Sequence, residues 1–380
     1  MNDRFRFGAA IGFTCLLFLG VQLGALSLVE PFTAAEMQAV EDPEDPTNSL
    51  FYIVAILVMT ALMLAAFKYD LQWIIRGVIV GVSVLLAWFV FAVIFPPIAF
   101  VGSVGLLPLL AALAVGGALL VYPEWYVIDL AGVVMGAGAA GLFGISLGIF
   151  PVIVLLVVLA VYDAISVYRT KHMLDLAEGV MDLRIPVILV IPTSLSYSYL
   201  ATNETPGGIE NVRDSSGESI PNGGDDTDGD ETKSYAETDA APANEAATPA
   251  DGDTTPTDEA ATPADGDTTP TNGDDDQRPA PEGVRDALFI GLGDAVIPTI
   301  LIASAASFLD HGTIEVPLIA LNTPALGGIV GTLAGLLVLM YMVLQGRPHA
   351  GLPLLNTGAI GGYLIGALWA GVPLLTALGL

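Results

Sequence analysis

Two aspartates lie inside apolar runs. Asp163 stands in Val161-Tyr162-Asp163-Ala164, six residues before Arg169, and Asp294 stands in Gly291-Leu292-Gly293-Asp294, nine residues after Arg285. An ionised side chain within a bilayer costs several kcal/mol, so such residues are the first places to look for function. At a helical rise of 1.5 Å per residue they sit about 9 Å and about 14 Å from the edge marked by those arginines, which puts one acid on each of two helices at a shared depth. Two carboxylates meeting in a low-dielectric pocket cannot both ionise cheaply, so one keeps its proton while the other loses it. The ionised group can take a proton from water as the water attacks a peptide carbonyl, and the neutral one can donate to the carbonyl oxygen. Gly291 and Gly293 remove bulk beside Asp294, which lets another backbone come close. Spacing alone serves an ion or proton relay in a channel or transporter equally well.

Other chemistries find few residues to work with. A zinc protease needs His-Glu-x-x-His on a helix, whereas His172, His311 and His349 occupy separate loops without ligand spacing. A membrane serine protease needs a histidine within a span, and none lies in one. No metal and no organic cofactor is implied. Cys15 is the only cysteine and lies in the first apolar run, so there is no disulfide framework. Twelve Lys and Arg against forty Asp and Glu leave no basic platform for nucleic acid. Asp129, Asn322 and Asn356 lie near the ends of spans, where capping or packing is the simpler role, and they stay outside the proposed site.

The chain that must position the two acids mixes two materials: 54% of its 380 residues are hydrophobic, yet the formal net charge is -28. Much of the acid falls between Thr202 and Glu282. An acidic, Lys-poor chain fits a protein from a high-salt cell, and an acidic tail in an ordinary organism would look the same. The rest forms apolar stretches long enough to cross a hydrocarbon core of about 30 Å, at 8–29, 50–67, 74–95, 98–121, 127–145, 149–168, 285–307, 317–344 and 352–375. Nine spans are therefore expected, the first a retained helix and not a cleaved leader. The glycines from Gly132 to Gly148 suit close helix packing.

With the N-terminus in the cytoplasm, Arg4, Arg6, Lys68, Arg76, Arg169, Lys171, Arg184 and Arg347 all fall inside, and the outer loops near Glu41, Pro97, Ser146 and His311 carry none. An eight-span count would break that pattern. The expectation is a multi-pass cell-membrane protein with its N-terminus and long loop cytoplasmic and its C-terminus outside.

After the sixth span come an amphipathic stretch, Met173 to Leu183, and a short β-branched run, Ile185 to Ile191, followed by Pro192. The run can pair with an unwound substrate as an added strand, or lie along the membrane interface. From Thr202 to Glu282 the composition is Asp, Thr, Pro, Ala and Gly, with Ala246 to Thr257 repeated at Ala260 to Thr271. Such a segment cannot bury a core and is read as a disordered linker. Three regions follow: 1–200 with helices 1–6, the linker 201–282, and 283–380 with helices 7–9.

Tyr-Asp on one span and Gly-Leu-Gly-Asp on the next, across a long cytoplasmic loop, resemble the GxGD intramembrane aspartyl proteases of the presenilin and signal peptide peptidase family, and in particular its archaeal presenilin-like members. The resemblance implies an all-α polytopic, presenilin-like fold of nine transmembrane helices. It also implies an endopeptidase that cuts transmembrane segments of protein substrates in the lipid bilayer. Asp163 and Asp294 would be catalytic, with Tyr162, Gly291, Leu292 and Gly293 as motif neighbours. The family's Pro-Ala-Leu motif opens its last span. Here the literal string is Pro324-Ala325-Leu326, 23 residues before Arg347 and so about 35 Å from the cytoplasmic edge on an ideal helix. We therefore give the motif's role to Pro353, Leu354 and Leu355, which open the ninth span. The orientation implies substrates with their N-termini outside. A channel, a proton-coupled transporter or an inactive scaffold would use the same acids differently, although no pseudo-symmetric repeat of the kind common in transporters relates the first six spans to the last three.

Overall fold

A computed structural model describes residues 3–69, 71–96, 100–101, 104–167, 188–192, 287–343 and 350–380. The linker 202–282, the amphipathic stretch 173–183, the first residues of the β-branched run (185–187) and Arg169, Lys171, Arg184, Arg285 and Arg347 lie outside them. The described chain is helical apart from two short hairpins: α1 (Asp3–Ala34), α2 (Thr47–Lys68), α3 (Gln72–Ile94), β1 (Phe100–Val101), β2 (Val104–Gly105), α4 (Leu106–Val121), α5 (Trp125–Ser146), α6 (Ile149–Ile165), β3 (Ile188–Pro192), β4 (Ala287–Gly291), α7 (Leu292–Phe308), α8 (Thr323–Val343), α9 (Gly351–Trp369) and α10 (Leu374–Ala377).

Six of these helices, α1, α2, α3, α5, α8 and α9, are long and apolar enough to cross a membrane, while α4, α6 and α7 are apolar but shorter. Several expected spans begin later or end sooner than hydropathy suggests. The stretch expected at 98–121 is a β1–β2 hairpin followed by a helix that starts at Leu106. Gly105 is extended there, and Pro108 falls in the first helical turn, where its missing N–H breaks no bond. The stretch expected at 317–344 becomes helical only at Thr323, because Thr313 to Asn322 folds back on itself through bridges between Thr313 and Asn322 and between Val316 and Ile319. The stretch expected at 352–375 breaks at Gly371, whose φ of +80° suits glycine, and Pro373 then opens α10.

The expected span at 285–307 is corrected most. Ala287–Gly291 is a strand, antiparallel to Ile188–Pro192, with Ile188 opposite Gly291 and Pro192 opposite Ala287. The helix begins only at Leu292, so Asp294 stands in its first turn. The depth of about 14 Å expected for Asp294 assumed helix from Arg285 onward, and five of those residues are extended.

α5 lies at the centre, with two thirds of its span buried (67%) against 6% for α2. Its glycines admit neighbours on several sides. A Cβ on Gly138 would stand 2.6 Å from Val90 of α3, one on Gly141 would stand 3.2 Å from Phe32 of α1, and one on Gly144 would meet Ala303 of α7. With no side chain in the way these backbones approach closely, which sustains dispersion contact where the hydrophobic effect between helices is weak. The main core cluster joins α6, α7, α8 and α9 through Leu156, Leu301, Ala325 and Tyr363. A second joins α1, β3, α7 and α8 through Phe18, Ile191, Leu292 and Leu336.

Candidate active site

The last turn of α6 carries Asp163, the first turn of α7 carries Asp294, and both meet the first turn of α9. Asp163 is 7% exposed, and its Oδ2 accepts a 3.2 Å hydrogen bond from the Leu352 N–H. That N–H is one of the first-turn donors that no helical carbonyl can reach, so the carboxylate of one helix satisfies the end of another. Asp294 is half-buried. A Cβ on Gly351 would stand 3.0 Å from its Oδ2 and 3.4 Å from its Cγ. The two acids thus stand against consecutive residues, Gly351 and Leu352.

The remaining motif residues surround that point. Gly291, the extended N-cap of α7, and Gly293 are both exposed, so the side of Asp294 that they flank is open. Leu292 points inward and is 8% exposed. Tyr162 is half-buried beside Asp163. Pro353 and Leu354 follow Leu352 in the first turns of α9 as half-buried residues, and Leu355 is fully buried in the core. Pro324-Ala325 lies at the other end of the same helix pair: a Cβ on Gly366 would stand 3.1 Å from the Pro324 Cα. Gly366 is fifteen residues along α9 from Gly351, about 22 Å on an ideal helix.

Three polar residues left outside the site by sequence prove to be fasteners. Asn322 caps α8, its Oδ1 accepting the Ala325 N–H at 2.8 Å, while its Nδ2 donates to the Ala305 and Leu309 carbonyls that end α7. Asn356 donates through Nδ2 to the Leu156 carbonyl at 2.9 Å and so ties α9 to α6 one turn beyond Leu352. Asp129 accepts the Val190 N–H at 2.8 Å and so ties α5 to β3.

The β3–β4 hairpin was not expected. Sequence left Ile185 to Ile191 either to pair with an unwound substrate or to lie along the membrane interface, and its described part is already paired within the chain, Ile188–Pro192 with Ala287–Gly291. That partner reads as an apolar run too short to tell strand from helix by periodicity.

Among the described residues no group of His, Cys, Asp and Glu could hold a metal ion. The family model for signal-peptide peptidase and presenilin aspartyl proteases matches residues 15–214 and 258–372. Two crystal structures of a presenilin family intramembrane aspartate protease resemble the chain. The one in space group C222 has a TM-score of 0.55 and 28% identity over 94% of this chain and 99% of that one. The other, in space group P2, has a TM-score of 0.52 and 29% identity over 93% and 96%. No curated protein sequence matches.

Proposed function

The chain belongs to the signal-peptide peptidase and presenilin aspartyl protease family, and from that premise we propose that Asp163 and Asp294 are its catalytic pair. As a family member it is a multi-pass membrane protein and a hydrolase. The observation that carries the residue assignment is the convergence of both carboxylates on Gly351 and Leu352. Two acids so placed can share one proton and hold a water between them. The ionised carboxylate takes a proton from that water as its oxygen bonds to the peptide carbon, and the neutral one protonates the carbonyl oxygen. Collapse of the tetrahedral adduct breaks the C–N bond, and the amine leaves with a proton returned from the pair.

The substrate is a transmembrane segment of another protein, and a segment presented as a strand fits the hairpin at its β4 edge. The Val190 N–H points away from β4 toward Asp129, so the Val190–Phe289 pair is of the non-hydrogen-bonded kind. On β3 the outward Val190 N–H is already taken by Asp129, and Pro192 has no N–H to offer. On β4 the outward groups belong to Ala287, Phe289 and Gly291, and they end beside Asp294. Pro353 and Leu354, half-buried in the first turns of α9, would line the same entrance, with Leu355 packed behind them in the core.

The full count of nine crossings, with N-terminus and long loop cytoplasmic, rests on the six long helices together with the three shorter ones and on the distribution of Lys and Arg. Labelling by a membrane-impermeant thiol reagent checks it. In a Cys15→Ser background a cysteine at 311 should react from outside and one at 4 should not.

Cleavage of a reporter transmembrane peptide by the purified protein in lipid tests the catalytic assignment. Asp163→Ala and Asp294→Ala should each abolish cleavage while the protein remains folded. Cleavage that survives either substitution would overturn the pair.

A further inference from the structure

One buried acid plays no part in the chemistry above. Asp129, in the second turn of α5, is 3% exposed; its Oδ1 accepts the Val190 N–H, and its Oδ2 is buried without a hydrogen-bond partner among the described residues. On the same face, three and seven residues further along, lie Gly132 and Gly136. A Cβ on Gly132 would stand 3.2 Å from Leu189 of β3 and 3.7 Å from Leu292, and one on Gly136 would stand 3.3 Å from Leu292 and 3.1 Å from Val296. One face of α5 therefore grips β3 by a hydrogen bond and receives Leu189 and Leu292 on bare backbone.

The hairpin carries this grip to the reacting group. β3 is paired with β4 along its whole length. β4 runs into α7 with no intervening loop: Gly291 ends the strand and caps the helix, and Asp294 is the third helical residue. Whatever fixes β3 on α5 thus fixes the backbone that bears Asp294. Because the Val190 N–H points out of the ladder, losing its acceptor leaves β3 and β4 paired and lets the hairpin shift as a unit.

We propose that Asp129 is the positioning residue for Asp294, its carboxylate setting the seat of the β3–β4 hairpin on α5 and hence the place of the Asp294 side chain. The proposal rests on the catalytic reading of Asp294. A role in stability alone predicts a lower melting temperature with kcat unchanged. Positioning predicts the reverse split, since a displacement of about 1 Å at reacting groups costs about 100-fold in rate.

The test uses the full chain in lipid with the reporter transmembrane peptide. Wild type should cleave and Asp294→Ala should not; cleavage by Asp294→Ala would overturn the catalytic reading and this proposal with it. Given that baseline, Asp129→Asn, which keeps the acceptor oxygen, should retain kcat within about twofold of wild type. Asp129→Ala should lower kcat about 10- to 100-fold with KM little changed. Val190→Pro removes the donor instead, at an outward position where proline breaks no ladder bond, and should match that loss. It also carries the test if Asp129→Ala does not fold. The double variant should be no worse than either single one, as expected when two changes remove one interaction. An undiminished kcat in Val190→Pro, an Asp129→Asn as impaired as Asp129→Ala, or additive losses would each overturn the proposal while leaving the catalytic pair in place.

Discussion

A methyl group on Gly351 would enter the space in which the Asp294 carboxylate stands, 3.0 Å from Oδ2 and 3.4 Å from Cγ. The approach to Oδ2 is tighter than ordinary van der Waals contact, so the carboxylate would have to move by a few tenths of an ångström. Gly351→Ala should therefore lower kcat about tenfold, since reacting groups tolerate little displacement, and should scarcely change the melting temperature. Wild-type kcat in this variant would mean that the carboxylate has room to spare. The sequence reading gives the motif's role to Pro353, Leu354 and Leu355, whereas the contacts with the two acids fall on Gly351 and Leu352. The reason is chemical. Leu352 contributes a backbone N–H that any residue except proline could offer, and Gly351 contributes the absence of a side chain. A search for functional side chains passes over both, whereas an acid in an apolar run stands out because its burial is costly.

At the scale of the helix the pairing of α8 with α9 decides how firmly the Gly351 end is held. Gly327 and Gly331 face Gly362 and Gly358 so closely that an added Cβ would run into the backbone carbonyl opposite, and on Gly335 it would stand 2.7 Å from the Leu354 carbonyl oxygen. Backbone cannot swing aside as a side chain can. Gly331→Ala should thus destabilise by about 1–3 kcal/mol, the usual range for overpacking. Gly361 lies on the same helix as Gly358 with nothing within 4 Å of its added Cβ. Gly361→Ala should instead gain up to about 1 kcal/mol from helix propensity. Thermal unfolding in detergent separates the two, and equal shifts would show that the close approach carries no energetic weight. Close packing by glycine was legible in the sequence as a property of α5. Its strongest instance lies between α8 and α9, where the glycines recur every four residues on one face. The same scale holds the element that the sequence concealed. β4 is five apolar residues long, and its identity as a strand depends on a partner almost a hundred positions earlier in the chain, which no local period reveals.

For the molecule as a whole, the long acidic segment and the hairpin are one problem in chain statistics. Pro192 and Ala287 are opposite one another in the ladder, so the intervening residues 193–286 leave and return at one point. Closing a loop costs entropy that rises by about 0.6 kcal/mol for each doubling of its length. The composition of 202–282, whose large apolar residues are Ile209, Val212, Ile220 and Tyr235 alone, offers little apolar surface whose burial would offset that cost. Deleting 202–282 leaves residues 193–201 and 283–286 to join the strands, a loop about sevenfold shorter. That is nearly three doublings, and the hairpin should gain about 2 kcal/mol. The hairpin in turn holds the start of α7 and Asp294, so the deletion protein should cleave the reporter peptide as well as the intact chain does and melt no lower. A deletion protein that inserts stably, melts like wild type and fails to cleave would show that the acidic segment takes part in catalysis or substrate capture. A lower melting temperature would show that it contributes contacts which its composition does not foretell.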